Sequence, residues 1–142
     1  MKKVLVLFLA VLGFAGVLSS CSLDDPNVNF DAGFLPVVEV DVPEYMQAGT
    51  TYPFKLYYKR PTNCYYYNGF YTEQDGNDFK VAVSSIVLYE NCMPIQEVEP
   101  EVATFEFQCP QSSFQDYTFH FYTGQDADGV DQYMDVTIPV EP

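Results

Sequence analysis

In this chain of 142 residues, 20 acids stand against six Lys and Arg, a formal charge of −14. That field repels nucleic acid, whose binding needs Lys and Arg on phosphates, and it argues against a polybasic membrane patch. It favours solubility, a cationic partner or a divalent metal.

The chain opens on Met1-Lys2-Lys3, a short basic segment, followed by an uncharged apolar run from Val4 to Leu18. A membrane-crossing helix needs roughly 20 apolar residues. The shorter run fits the core of a secretory signal, about 7–15 residues, and predicts a signal-peptide helix within residues 1–20. Leu18-Ser19-Ser20-Cys21 then places small residues before a cysteine, and the whole segment resembles the lipobox signal peptide of bacterial lipoproteins. The resemblance implies cleavage before Cys21 and lipidation of Cys21 by a diacylglycerol thioether and an N-terminal acyl chain such as palmitate. Several chains anchor stably where one does not. Losing Lys2 and Lys3 with the signal takes the formal charge from −14 to −16. Ser22-Leu23-Asp24-Asp25 resembles the acidic tract that sends lipoproteins of Bacteroidota to the outer face of the outer membrane, which implies a cell-surface location. Residues 21–33, with Pro26, Asn27 and Asn29, read as a lipidated flexible tether, and residues 34–142 as one folded domain.

That domain reads as strands throughout. Val38, Val40 and Val42 alternate with acids. Tyr52, Phe54, Leu56 and Tyr58 share one parity, as do Phe105, Phe107 and Cys109, then Tyr117, Phe119 and Phe121, and finally Met134, Val136, Ile138 and Val140. Alternation with one apolar face marks a half-buried antiparallel strand. Two further runs, about Cys64–Glu73 and Phe79–Glu90, flank Asp75-Gly76, a hairpin signal. In the second run the apolar parity slips at Ser84-Ser85. A bulge there or a strand buried on both faces explains the slip equally well. About seven strands, with turn signals at Pro43, Gly49, Pro61, Pro94, Pro100, Pro110 and Asp128-Gly129, have the size and rhythm of an immunoglobulin-like antiparallel β-sandwich. Tyr117 suits the corner tyrosine of that fold. The segments Thr51-Tyr52-Pro53-Phe54 to Arg60-Pro61-Thr62-Asn63-Cys64, and Asp131 to Val140, are similar to small uncharacterised surface lipoproteins of flavobacteria. This likeness implies fold and location and no activity.

After lipidation of Cys21, three cysteines remain, in a location that permits disulfides. Cys64 and Cys92 lie at strand ends beside turns and are predicted to pair. Cys109 continues an inward parity and is predicted to be a buried free thiol. If the strands before Glu90 and after Val102 form a hairpin, Cys109 lies far from Cys92.

Candidate chemistry is sparse. No Gly-x-Ser-x-Gly, His-Glu-x-x-His or phosphate-cradling glycine loop is present. The one histidine, His120, falls on an outward parity. No cofactor is expected. Asp126, Asp128 and Asp131, with Gly129, resemble the front of a calcium loop, although an acidic hairpin turn accounts for them too. Tyr65-Tyr66-Tyr67 form the densest aromatic cluster, with Phe70 and Tyr71 close behind, and Tyr57, Tyr122 and Tyr133 fall on outward parities. Outward tyrosines bind proteins or stack on glycans. The sequence therefore predicts a non-catalytic, outer-membrane, lipid-anchored binding or structural module. Its partners are the membrane, through the lipid, and a protein or glycan ligand, with no nucleic acid. The alternative is a small cell-surface hydrolase using a carboxylate pair.

Overall fold

The computed structural model describes residues 30–96, 99–111 and 114–142. Cys21, the signal segment and the tether up to residue 29 lie outside the described residues. Nine strands are described: β1 (Phe30–Leu35), β2 (Val37–Asp41), β3 (Met46–Gln47), β4 (Thr51–Tyr58), β5 (Tyr65–Asp75), β6 (Asp78–Leu88), β7 (Glu101–Gln108), β8 (Asp116–Gln125) and β9 (Asp131–Glu141). Strand β1 takes in residues 30–33, which the sequence assigns to the tether.

The strands form two sheets, β2-β4-β7 and a six-stranded sheet ordered β1-β6-β8-β9-β3 with β5 on the other edge of β6. Strands β8 and β1 share one edge of β6 end to end: β8 pairs with residues 78–81 and β1 with residues 83–88. Two departures from an antiparallel sandwich of about seven strands follow. Nine strands are present among the described residues, and the β6–β8 and β3–β9 pairs are parallel. The parallel β6–β8 pair has a simple cause. Strand β7 carries the chain back along the smaller sheet, so β8 sets out from the same end as β6. The hairpin expected between the strands before Glu90 and after Val102 therefore does not exist, since β6 and β7 belong to different sheets.

The core lies between the sheets. Phe54, Leu56, Tyr58, Ala103, Phe107 and Cys109 face it from the smaller sheet; Val81, Val83, Tyr117, Phe119, Phe121 and Ile138 face it from the larger. Phe119 meets Phe54 and Phe107 edge to face, each at 4.9 Å between centroids, a geometry favoured by the ring quadrupoles. The parities read from the sequence hold in β4, β7 and β8. In β2 a register shift between Val37 and Glu39 buries Val37 and leaves Val38 exposed, while Val40 and Val42 pack against the core as expected.

The slip at Ser84-Ser85 also resolves. Strand β6 runs without a bulge against β1, and its second face is covered: Ala82 is as buried as its neighbours Val81 and Val83. The bulge belongs to β5, where Asn68 and Gly69 intervene between the pairs Tyr67–Ser85 and Phe70–Val83. Gly69 supplies a φ of 79° there, a conformation that costs glycine little. The β5–β6 hairpin turns at Gly76-Asn77, between the pair Asp75–Asp78, one residue beyond the Asp-Gly signal. Gly76 has a φ of 64° and Asn77 is not left-handed, as a type II′ turn requires.

Candidate functional site

Paired residues on neighbouring strands share a face of the sheet, so the register shows which side chains meet. Phe34 pairs with Ser84, Tyr71 with Ala82, and Tyr122 with Tyr133. All lie on the solvent side of the six-stranded sheet, opposite the core. There Phe34 contacts Tyr71 at 5.4 Å and Tyr122 at 5.5 Å, and Tyr122 contacts Tyr133 at 6.1 Å. This run of four rings covers Ala82, which is why β6 is buried on both faces. Beside it opens a cleft of about 730 Å³ bordered by Phe34, Tyr71, Tyr122, Asp31 and Asp131.

The sequence-predicted tyrosines divide. Tyr66 is 51% exposed and shares this outer face, paired with Ile86. Tyr133, 39% exposed, belongs to the ring cluster. Tyr122 is on the expected face and yet only 8% exposed, because Phe34 packs against it from β1; the expectation of an outward, accessible ring is corrected on that point. Tyr65 and Tyr67 take the opposite parity. Tyr67 is half exposed but stacks on Tyr58 at 6.1 Å, and Tyr65 reaches toward Gly33. Tyr57 alternates with the inward Phe54, Leu56 and Tyr58 on the smaller sheet, so it lies on the far side of the sandwich and not on the same face as the others. Phe34 escaped the sequence reading because it borders the segment read as tether. Tyr71 was visible as part of the aromatic cluster, but the β5 bulge resets its parity relative to Tyr65–Tyr67.

Acids edge the aromatic run. Tyr89 donates a hydrogen bond to Asp31 at 2.9 Å, and the Gln125 amide donates to Asp131 at 2.9 Å. Burial, then the nearby Asp131 carboxylate, raises the Tyr122 phenol above its ordinary value. Lys80 is engaged by Glu73 at 3.5 Å.

The three aspartates proposed for calcium do not converge. Asp126 Oδ1 accepts from the Asp128 and Val130 amides, both at 2.9 Å, and its Oδ2 accepts from Gln132. Asp131 turns to Gln125. Among the described residues no three His, Cys, Asp or Glu side chains group as a metal site. Backbone N–H groups already supply the positive charge that the turn's carboxylate needs, as in an Asx turn, so Asp126, Asp128 and Asp131 are arranged here as an acidic hairpin turn.

Three further polar arrangements were not legible in the sequence. His120 lies between two carboxylates, Nδ1 at 2.7 Å from Asp135 and Nε2 at 3.0 Å from Asp78. Only the imidazolium donates from both nitrogens, and these hydrogen bonds, Asp135 first, raise the His120 pKa. At the end of the core, Tyr58 donates to Glu101 at 2.9 Å, and Arg60 pairs with the same carboxylate at 2.7 Å. Burial, then the bond to Glu101, pushes the Tyr58 phenol up to about 12. Ser85, buried in the sheet, donates to the Gly33 carbonyl at 3.0 Å and so fastens β1 to β6.

Cys64 and Cys92 form a disulfide with Cα atoms 5.4 Å apart, and Cys109 is a buried free thiol, both as predicted. The positions of Cys64 and Cys92 at strand ends beside turns carry the pairing; the hairpin expected to keep Cys109 from Cys92 does not form. No known family model, curated protein or solved structure matches the chain.

Proposed function

We propose that this chain is a non-catalytic binding module, immunoglobulin-like in architecture, anchored through lipid on Cys21 at the outer face of the outer membrane. The observation that carries the binding role is the run of four rings, Phe34, Tyr71, Tyr122 and Tyr133, on a solvent-facing sheet. Rigid amphipathic rings give contact area at low entropic cost and a hydroxyl for hydrogen bonding. Phe34, Tyr71 and Tyr133 each remain at least 39% exposed, so their contact area is still available to a partner. The reading as immunoglobulin-like draws on the face-to-face sheets, the antiparallel order β2-β4-β7 and the antiparallel β8–β9 pair, together with Tyr117 buried near the start of β8. The parallel β6–β8 pair is a departure within that architecture.

The test replaces Tyr71 and Tyr133 together by alanine in the lipidated protein and measures retention on immobilised protein and glycan ligands. Both rings are partly exposed, so the melting temperature is expected to fall by only a few degrees. Retention is expected to fall about tenfold or more, as loss of central aromatic anchors does. Unchanged retention of every ligand bound by the wild type would remove the ring cluster from the function.

A further inference from the structure

We propose that the cleft beside the aromatic run takes a guanidinium group, the arginine side chain of an extended segment in a basic protein partner. The inference rests on the binding role proposed above and adds the chemistry of the ligand. Two features of the cleft point the same way. The first is charge. Asp131 borders it on the ring side and Asp31 borders it from the opposite parity of β1, paired with Val87, and none of the described residues lining it is Lys, Arg or His. Each carboxylate has a protein donor on one oxygen, Tyr89 on Asp31 and Gln125 on Asp131. Those bonds orient the carboxylates without neutralising them. The neighbouring cation, Lys80, is held by Glu73. The second feature is the ring wall. Phe34, Tyr71 and Tyr122 line the same cleft, and Phe34 and Tyr71 are substantially exposed.

A guanidinium combines the two. Its plane stacks on an aromatic face, where the ring quadrupole attracts a cation, and its forked N–H groups suit a carboxylate better than the compact, strongly hydrated ammonium of lysine or a polyamine. At about 730 Å³ and open to solvent, the cleft has room for a side chain with its flanking backbone. The acidity of the whole chain complements such a partner and speeds encounter without choosing where it docks; the rings and Asp131 choose the site, with Asp31 at its far side.

The experiment titrates the lipidated mature protein in neutral detergent with N-acetyl tetra-arginine amide, with spermine and with neutral maltotetraose, following tyrosine fluorescence at low and high salt. Saturable tetra-arginine binding that weakens with salt is expected. About tenfold losses are expected from Asp131→Asn and from Tyr71→Leu, which keeps bulk and removes the ring, and a smaller loss from Asp31→Asn, whose carboxylate reaches the cleft from the other parity of β1. Glu106→Gln, exposed on the smaller sheet, is expected to cost less than about twofold, because a distant surface charge is screened. Equal losses from Glu106→Gln and Asp131→Asn would show attraction to the whole acidic domain and overturn the site. Spermine binding as tightly as tetra-arginine would overturn the guanidinium. Maltotetraose binding that is lost in Tyr71→Leu, with no binding of tetra-arginine, would overturn the cationic ligand and leave the ring cluster as a binding face. If no probe binds, or if Tyr71→Leu leaves tetra-arginine binding unchanged, the cleft proposal fails. In that case the retention assay with Tyr71→Ala and Tyr133→Ala decides separately whether the ring cluster binds anything.

Discussion

At the scale of single residues, a buried phenol shows how position changes chemistry. Tyr58 is 3% exposed, its hydroxyl is bonded to Glu101, and Tyr67 stacks on its ring. Ionising it would put a second negative charge beside the carboxylate in a poorly solvated place. In a spectrophotometric titration of the tyrosines, one ring is therefore expected to ionise near 12, and Tyr58→Phe is expected to remove that late step. Glu101→Ala is expected to cost about 1–3 kcal/mol in urea unfolding, the range for stranding a buried donor. Tyr58→Phe, which deletes the donor itself, is expected to cost less. Equal costs for the two would mean that neither the stranded hydroxyl nor the lost Arg60 pair carries a penalty of its own.

Between elements, two clasps hold the larger sheet. The Cys64–Cys92 disulfide ties the loop before β5 to the loop after β6, where Thr62 also pairs with Pro94. A sequence separation of 28 residues makes the cross-link worth about 3.5 kcal/mol in the chain-entropy account. Cys64→Ala with Cys92→Ala is expected to lower unfolding stability by roughly that amount under oxidising conditions, and adding reductant to the double variant is expected to change nothing further. The second clasp, His120 between Asp78 and Asp135, joins β6, β8 and β9. Its pKa is raised on folding, so the folded state holds the proton more tightly than the unfolded state does. The stabilisation is complete below the unfolded value of about 6.5 and is lost as pH rises through the higher folded value. Asp78 and Asp135 are more than half exposed, so screening limits the effect to below about 1 kcal/mol. Denaturation of the wild type is expected to show slightly greater stability at about pH 5.5 than at about pH 8.5. His120→Gln is expected to abolish that difference, and a difference that survives the substitution would place the titrating group elsewhere.

For the molecule as a whole, the proposal of a lipid anchor has a direct test. In cells carrying Cys21→Ala, the chain is expected to remain as an uncut precursor or to leave the membrane fraction, and surface biotinylation of intact cells is expected to label the wild type. Mass spectrometry finding a native N-terminus other than a modified Cys21 would remove the anchor. The formal charge of −14 gives the chain a long-range attraction for cations. The sheet topology sets Asp131 beside the exposed rings, brings Asp31 to the same cleft from the other parity of β1, and leaves the carboxylate of Asp126 to its own backbone.

Much of the fold was legible in local pattern. Period-two alternation in β4, β7 and β8 identified Phe54, Phe107 and Phe119 as core, because side chains on a strand point to alternate faces whatever the strand pairs with. The same logic put Cys109 inside, and turn-flanking positions indicated the Cys64–Cys92 pair. Local pattern could not tell which strand lies beside which. Burial on both faces of β6, the docking of β1 beside β8 and the parallel β6–β8 pair are all properties of pairing between distant segments. So are the two-carboxylate clamp on His120 and the ring cluster: Phe34, Tyr71, Tyr122 and Tyr133 come from four strands. The β5 bulge adds a shift that alternation in a single strand cannot register. The sequence by itself determined which residues face inward wherever a strand has one buried face and an unbroken register. Only the tertiary structure decided which outward residues meet, because a sheet's second face acquires its neighbours through long-range register.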